Sequence, residues 1–408
     1  MCLYNKIRRD IASHEQELII QTDVFLFLYM VFFNITTSLN DTNKYCNAVA
    51  AVFILLAGLY FIHNPGSMIN LFSVSFTLFV IYAFISTFWS PVRDTSLLEV
   101  RTFLRILILS VLMYNYLDAQ GKKDLVLSGF VVAGLVASVY TILYYGPGAF
   151  IQGMKNGSRM GWGIYSINYV SVMLMLAALI ALWFVFYKKK WWDVVPAVLC
   201  VIVALSTGCR AALICFVVGL FALIFLSFKG KWKLLTPLLM ILLLTAAWFI
   251  IKLPMFASVY QRMEGFFKVF SEGSGDGSSN VRIEMIKWGF GQFLKTPVFG
   301  LGVSSGSVVM AQHGEPGLAL YHNTYIEILS GLGIIGFALY FSMFFYPLVK
   351  LFKPAMARKD DAVIAMVMLA VLLVAFVFGS EYNEKATYVI ICYLFLTVSH
   401  YKKEGFLK

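Results

Sequence analysis

The sequence predicts an all-α, polytopic integral membrane protein, and three observations carry that prediction. Of 408 residues, 60% are hydrophobic and only 13% are charged, with a mean hydropathy of +0.81. A soluble globular domain has no use for so much apolar surface. Apolar runs long enough to cross a bilayer recur along the whole length, as spanning helices require. The cations are also shared unevenly between successive connections, as a multi-pass topology demands. Residues 1–408 are therefore expected to form a single transmembrane domain, without a soluble module at either end.

Taken in order, hydropathy marks about twelve transmembrane helices, at 24–38, 48–62, 68–89, 98–117, 124–146, 164–187, 194–209, 210–228, 234–252, 323–349, 361–379 and 386–400. With the N-terminus cytoplasmic, eighteen Lys and Arg fall on inner segments, from Lys6, Arg8 and Arg9 through Lys188–Lys190 to Lys402, Lys403 and Lys408. The short outer loops hold six: Lys44, Arg93, Lys155, Arg159, Arg210 and Lys385. This is the positive-inside bias, and it supports both the even count and the orientation. It also accounts for the net charge of +11 by topology, so a nucleic-acid partner is not expected. The first ~20 residues are polar and of mixed charge, unlike a cleavable signal peptide. The six cysteines (Cys2, Cys46, Cys200, Cys209, Cys215, Cys392) show neither metal-ligand spacing nor a disulfide framework.

One connection is long. Residues 253–322, between the ninth and tenth spans, form an outer-face loop with internal organisation. Met255–Phe270 mixes phenylalanines with Arg262 and Lys268, as an interfacial amphipathic helix does. A Gly/Ser-rich hinge follows at Glu272–Asn280. Val281–Trp288 then has helical periodicity, with Ser279 or Asn280 as N-cap, and Thr296–Gly302 has turn chemistry. A loop of this length with its own elements points to function.

Three groups converge on that face: Arg210 at a short outer connection, Arg282 in the long loop, and His322 where the loop re-enters the membrane. A guanidinium fork suits phosphate oxygens and keeps its charge. An imidazole takes a proton near neutrality. Each also has a plain structural use. Arginines at helix ends snorkel, an interfacial histidine is often structural, and Arg282 has Glu284 and Asp276 nearby in sequence. Arg101 and Arg105, four apart, share one face in the outer half of the fourth span. They either line a groove for a lipid diphosphate or acceptor, or pair with Glu99. Lys155, Arg159 and Asn168 flank the loop 146–163. Trp162 and Tyr321 are the outer-face rings available for stacking on sugar. Glu381, Tyr382 and Glu384 form the last outer loop, which either lies solvated, the reading preferred, or closes the site.

The order of motifs adds a resemblance. Ser-Thr-Gly-Cys-Arg210, then Arg282-Ile-x-x-x-x-Trp288 with Pro297-Val-Phe-Gly-Leu-Gly302, then His322-Asn-x-Tyr-x-Glu followed by Gly333, resembles the O-antigen ligase and polymerase superfamily. Cys209 departs from the commoner serine, and a small residue is kept. The resemblance implies an inverting glycosyltransferase without metal or cofactor. It would act at the outer face of the bacterial cytoplasmic (inner) membrane on a glycan carried by undecaprenyl diphosphate. Arg210 and Arg282 would bind the diphosphate, and His322 would serve as general base. Arg262, Asn323, Tyr325 and Glu327, with Arg101, Arg105 and Trp162, are expected to contact substrate or support the site. The expected partners are the undecaprenyl-diphosphate-linked donor, a lipid-linked or lipid A-core acceptor glycan, membrane lipids, and a chain-length regulator. The function expected is a polysaccharide repeat-unit polymerase, which moves the growing glycan onto a new lipid-linked unit. The alternative is a ligase delivering the finished glycan to lipid A-core, and a transporter or flippase ranks below both. No internal repeat of the halves favours transport.

Overall fold

The computed structural model describes residues 2–36, 43–66, 68–161, 166–253, 260, 264 and 277–407. Each predicted span coincides with a helix. These are α1 (Cys2–Thr36), α2 (Asn43–His63), α3 (Leu71–Ser86), α4 (Arg93–Gln120), α5 (Asp124–Tyr145), α7 (Ile167–Lys188), α8 (Val194–Ser206), α9 (Arg210–Ser227), α10 (Thr236–Ile251), α13 (Thr324–Met356), α14 (Asp360–Phe378) and α15 (Lys385–Lys403). Among the described residues, three further α-helices lie in connections: α6 (Pro147–Lys155), α11 (Gly277–Lys295) and α12 (Gly306–Gln312). Among the described residues, seven helices are long and apolar enough to cross a membrane, and α3, α8 and α10 are shorter apolar helices. The chain is a multi-pass, all-helical membrane protein.

Hydropathy all round a helix predicts burial on all sides, and α7 is the clearest case. It is buried along almost its whole length and packs on α5, α8, α9 and α14. On the other flank α13 packs on α3, α11, α14 and α15. Ion pairs tie the ends of the helices together around the lysine run: Lys188 with Asp360 at 3.6 Å and Lys123 with Asp361 at 3.2 Å. Partly buried charges of this kind stay only where they are paired.

Two expectations for the long loop change. Its second helix starts at Gly277, so Ser279 and Asn280 lie inside it and neither is an N-cap. The Gly/Ser hinge is therefore partly helical at its end, because the first turn of α11 continues through small residues that pattern alone reads as a break. The proposed interfacial helix at 255–270 and its Arg262 lie outside the described residues, as does Trp162.

The segment after α11 is not a simple turn. Helix α13 is interrupted at Gly333 (φ 62°, ψ −165°), and Pro297–Gly302 fills the break. The N–H groups of Leu301 and Gly302 donate to the carbonyls of Ser330 and Gly331 (2.9 and 2.7 Å). In return, Ile334 and Ile335 donate to the carbonyls of Pro297 and Val298 (2.9 and 3.4 Å). Tyr82 on α3 donates its hydroxyl to Leu332 O at 3.1 Å. Irregular backbone survives at membrane depth only when buried in protein with its polar groups satisfied, and this contact meets that condition. A Cβ on Gly333 would lie 2.3 Å from Val298 O, in a left-handed conformation. Gly333→Ala is therefore expected to destabilise the protein by at least the ~1–3 kcal/mol of such backbone strain. Thermal unfolding in detergent should show a clear loss relative to Gly66→Ala, whose site is open; equal melting of the two would remove the argument.

Candidate active site

His322 is the residue before the first turn of α13, and both its neighbours are fixed. Asn323 caps the helix, its Oδ1 accepting from Ile326 N at 3.0 Å, and its Nδ2 donates to Val377 O on α14 at 3.1 Å. On the other side Tyr321 is buried in a small apolar cluster with Met285, Val309, Met310 and Ile326, drawn from α11, α12 and α13. Its hydroxyl shares a hydrogen bond with Ser330 Oγ at 2.9 Å. His322 itself adopts φ 52°, a conformation uncommon for a residue with a Cβ, and its side chain is half-buried. The ring is thus presented from a strained turn whose ends cannot relax independently. Tyr321, expected as a stacking surface for sugar, is only 1% exposed; it anchors this turn instead.

Arg282 arrives from α11. On that helix Arg282, Met285 and Gly289 share one face by their spacing. Gly289 lets the helix settle onto the turn: a Cβ there would stand 2.3 Å from Ile326 Cγ2 and 2.8 Å from the Tyr321 ring. Two turns back along the same face, Arg282 comes within electrostatic reach of His322. Burial, first, and the Arg282 charge, second, hold the imidazole pKa below its usual value. The carboxylate of Glu284 accepts from Lys287 Nζ at 2.7 Å.

Arg210 opens α9 directly after a tight turn. Gly208 takes φ 64°, and Thr207 Oγ1 accepts from Cys209 N at 3.2 Å. The turn is pinned to its surroundings through Ser171 Oγ on α7, 2.8 Å from Thr207 Oγ1, and Arg159 Nε, which donates to Thr207 O at 2.9 Å. Helix α9 packs on α14, and Glu381 lies within electrostatic reach of Cys215 on α9. Arg210 therefore stands at the same end of the bundle as His322, opposite the Lys188–Asp360 pair.

The connection between α14 and α15 closes against this turn, which corrects the expectation of a solvated loop. Glu381 N donates to Thr324 Oγ1 at 2.8 Å, Thr324 Oγ1 donates to Gly379 O at 2.9 Å, and Tyr382 is 2% exposed. Burial and the nearby Glu384 push the Glu381 carboxyl up to about 8. Burial lifts Glu384 to about 7, with Lys385 opposing. Among the described residues no group of three or more His, Cys, Asp and Glu is arranged to hold a metal ion.

Glu327 links the pieces. Its Oε1 accepts from Tyr321 N at 2.6 Å and from Ser380 Oγ at 2.8 Å, joining the histidine turn to the end of α14. Tyr325 donates its hydroxyl to Leu373 O at 2.8 Å and stacks on Phe341. Arg101 and Arg105 stand apart, exposed on α4, and no contact joins them to Glu99. Sequence reasoning missed Ser380, whose hydroxyl has no local signature, and the roles of Tyr321 and Glu381.

A family model described as O-antigen ligase matches residues 195–341. That stretch is therefore similar to O-antigen ligases, in keeping with the resemblance of the motifs. A search of the curated proteins found no match. The matched residues include Arg210, Arg282, His322, Asn323, Tyr325 and Glu327, while Arg101, Arg105 and the Ser380–Lys385 connection lie outside them. The match supports a function of the O-antigen ligase or polymerase type. Within the matched residues, Glu327→Gln should keep an acceptor at Oε1 and retain most transfer. Glu327→Ala would leave the buried Tyr321 N–H unpaired, at about 1–3 kcal/mol, and should lower kcat clearly. A transfer assay on purified protein, with equal rates for the two variants, would dismiss this linkage.

Proposed function

We propose that the protein is a polysaccharide repeat-unit polymerase of the bacterial cytoplasmic membrane. It transfers a glycan from undecaprenyl diphosphate to the sugar of a new lipid-linked repeat unit at the outer face. The observation that supports this reading is that Arg282 lies within electrostatic reach of His322 and, after burial, lowers its pKa. An acceptor hydroxyl attacks the anomeric carbon, the bond from that carbon to the diphosphate oxygen breaks, and configuration inverts. The attacking proton passes to His322. Arg210 and Arg282 hold the diphosphate and stabilise the charge that builds on it as the bond breaks. Two guanidinium groups can supply the neutralisation that a divalent cation supplies elsewhere.

The description of the matched family favours a second reading, in which the finished glycan goes to a terminal acceptor such as lipid A-core. Cells lacking the gene separate the two when surface glycan is resolved by size. A polymerase defect leaves a single repeat attached to the acceptor. A ligase defect leaves polymer on the lipid carrier and none on the acceptor. Normal glycan in the deletion strain would reject both.

A further inference from the structure

A lateral crevice of about 520 Å³ opens between α2 and α4, with α1 and the start of α15 behind it. Its walls are apolar, including Tyr29, Ile54 and Ile106, yet two cations reach into it: Arg105 from α4 and Lys385 from α15. Among the described residues Arg105 has neither hydrogen bond nor ion pair, and Lys385 Nζ meets only the Cys46 thiol, at 3.8 Å, as a hydrogen-bond partner. Arg101 lies one turn further out and does not line the crevice.

Depth makes the arginine costly. Helix α4, with 28 residues, is about 42 Å long, close to the full thickness of a bilayer with its headgroups. Arg105 lies about 18 Å along it from Arg93, which, with α4 taken as a span, is within the hydrocarbon layer. An unpaired charge at that level is expensive unless a counter-ion accompanies it. A free phosphate or an acidic peptide would leave the apolar walls uncovered. A phosphate carried on a long hydrocarbon chain satisfies both the walls and the cations. Lys385 also connects the crevice to the candidate active site, since it follows Glu384 in the connection that bonds to Thr324.

We propose that this crevice binds a second phosphate-bearing polyprenyl lipid, with Arg105 and Lys385 on its phosphate and its chain along α2 and α4. This rests on the transferase reading for its role, which is to hold the acceptor lipid while the arginine pair at the histidine holds the donor. Two lipids of the same chemistry need two separate phosphate sites, and the positions beside α4 and beside α11 provide them.

The test uses the full-length protein in phosphatidylcholine nanodiscs, a photoactivatable polyprenyl diphosphate as probe, and peptide mapping of the crosslinks. Labelling of residues 43–63 and 93–120 is expected in the wild type and in Arg210→Ala. It should fall at least about tenfold in Arg105→Gln/Lys385→Gln, as befits loss of two charged contacts, and persist in the charge-keeping Arg105→Lys/Lys385→Arg. Unchanged labelling in the glutamine double variant, with the protein still monodisperse, overturns the site. Displacement of the probe by an equal amount of phosphatidylglycerol also overturns it, since the crevice would then be a general anionic-lipid surface. Glycan transfer by the wild type is measured in the same discs. Absent transfer with intact, charge-dependent labelling rejects the transferase reading and leaves the lipid site standing.

Discussion

Replacing His322 by alanine is expected to lower glycan transfer by roughly 10²–10⁴-fold, the range a positioned general base supplies, with the protein still present in the membrane at its normal level. The pH profile gives the sharper check. An ordinary histidine titrates near about 6.5, and His322 is held below that, first by burial and then by Arg282. The base works in its neutral form, so transfer should persist as pH falls past the usual histidine range and fail only further into acid. Arg282→Gln removes one of the two causes. The acid limb of kcat/KM should then move to higher pH, toward the ordinary value. A limb that stays in place, or moves to lower pH, would break the assigned coupling. Changes near and above neutrality have other sources, among them Glu384 and Glu381, whose carboxyls burial pushes up to about 7 and about 8.

The second large effect concerns the arginines. Arg210→Ala and Arg282→Ala are each expected to reduce kcat by roughly 10²–10³-fold, comparable to removing one donor to a developing anion. Lysine at either position should restore only part, because an ammonium cannot offer the planar two-donor fork. The double variant should lose less than the product of the single losses, since the two act on one leaving group. Single-turnover measurements with a defined lipid-linked donor decide this. Losses confined to KM would mean that the arginines bind the ground state and do not stabilise the breaking bond.

Much of the architecture was legible because hydrocarbon imposes a simple rule. Each of the twelve apolar stretches coincides with a helix, mostly within a few residues of the expected ends; α1 alone extends far beyond its stretch. Helices α4 and α15 needed the charge pattern as well, since Arg101, Arg105 and the lysines of α15 dilute their hydropathy. Of the candidate site, the residues with distinctive chemistry, Arg282 and His322, could be read and are brought together. What could not be read is what holds them. Tyr321 looked like an exposed ring, and only the packing of α11 and α12 buries it. Glu381 looked solvated because its loop is short and polar, whereas the contact that orders it comes from Thr324, 57 positions earlier in the chain. The docking of Pro297–Gly302 into α13 was equally hidden. Backbone carries that contact, and backbone hydrogen bonding leaves no trace in side-chain pattern.

That docking also limits how the molecule can move. Lifting the segment behind α11 away from α13 would break four backbone hydrogen bonds in an apolar setting, at a cost on the order of 10 kcal/mol. Thermal excursions of that size occupy roughly one molecule in 10⁷. Helix α11 is therefore a fixed wall. Under the proposed function, a lipid-borne substrate would then have to arrive by a different flank of the bundle.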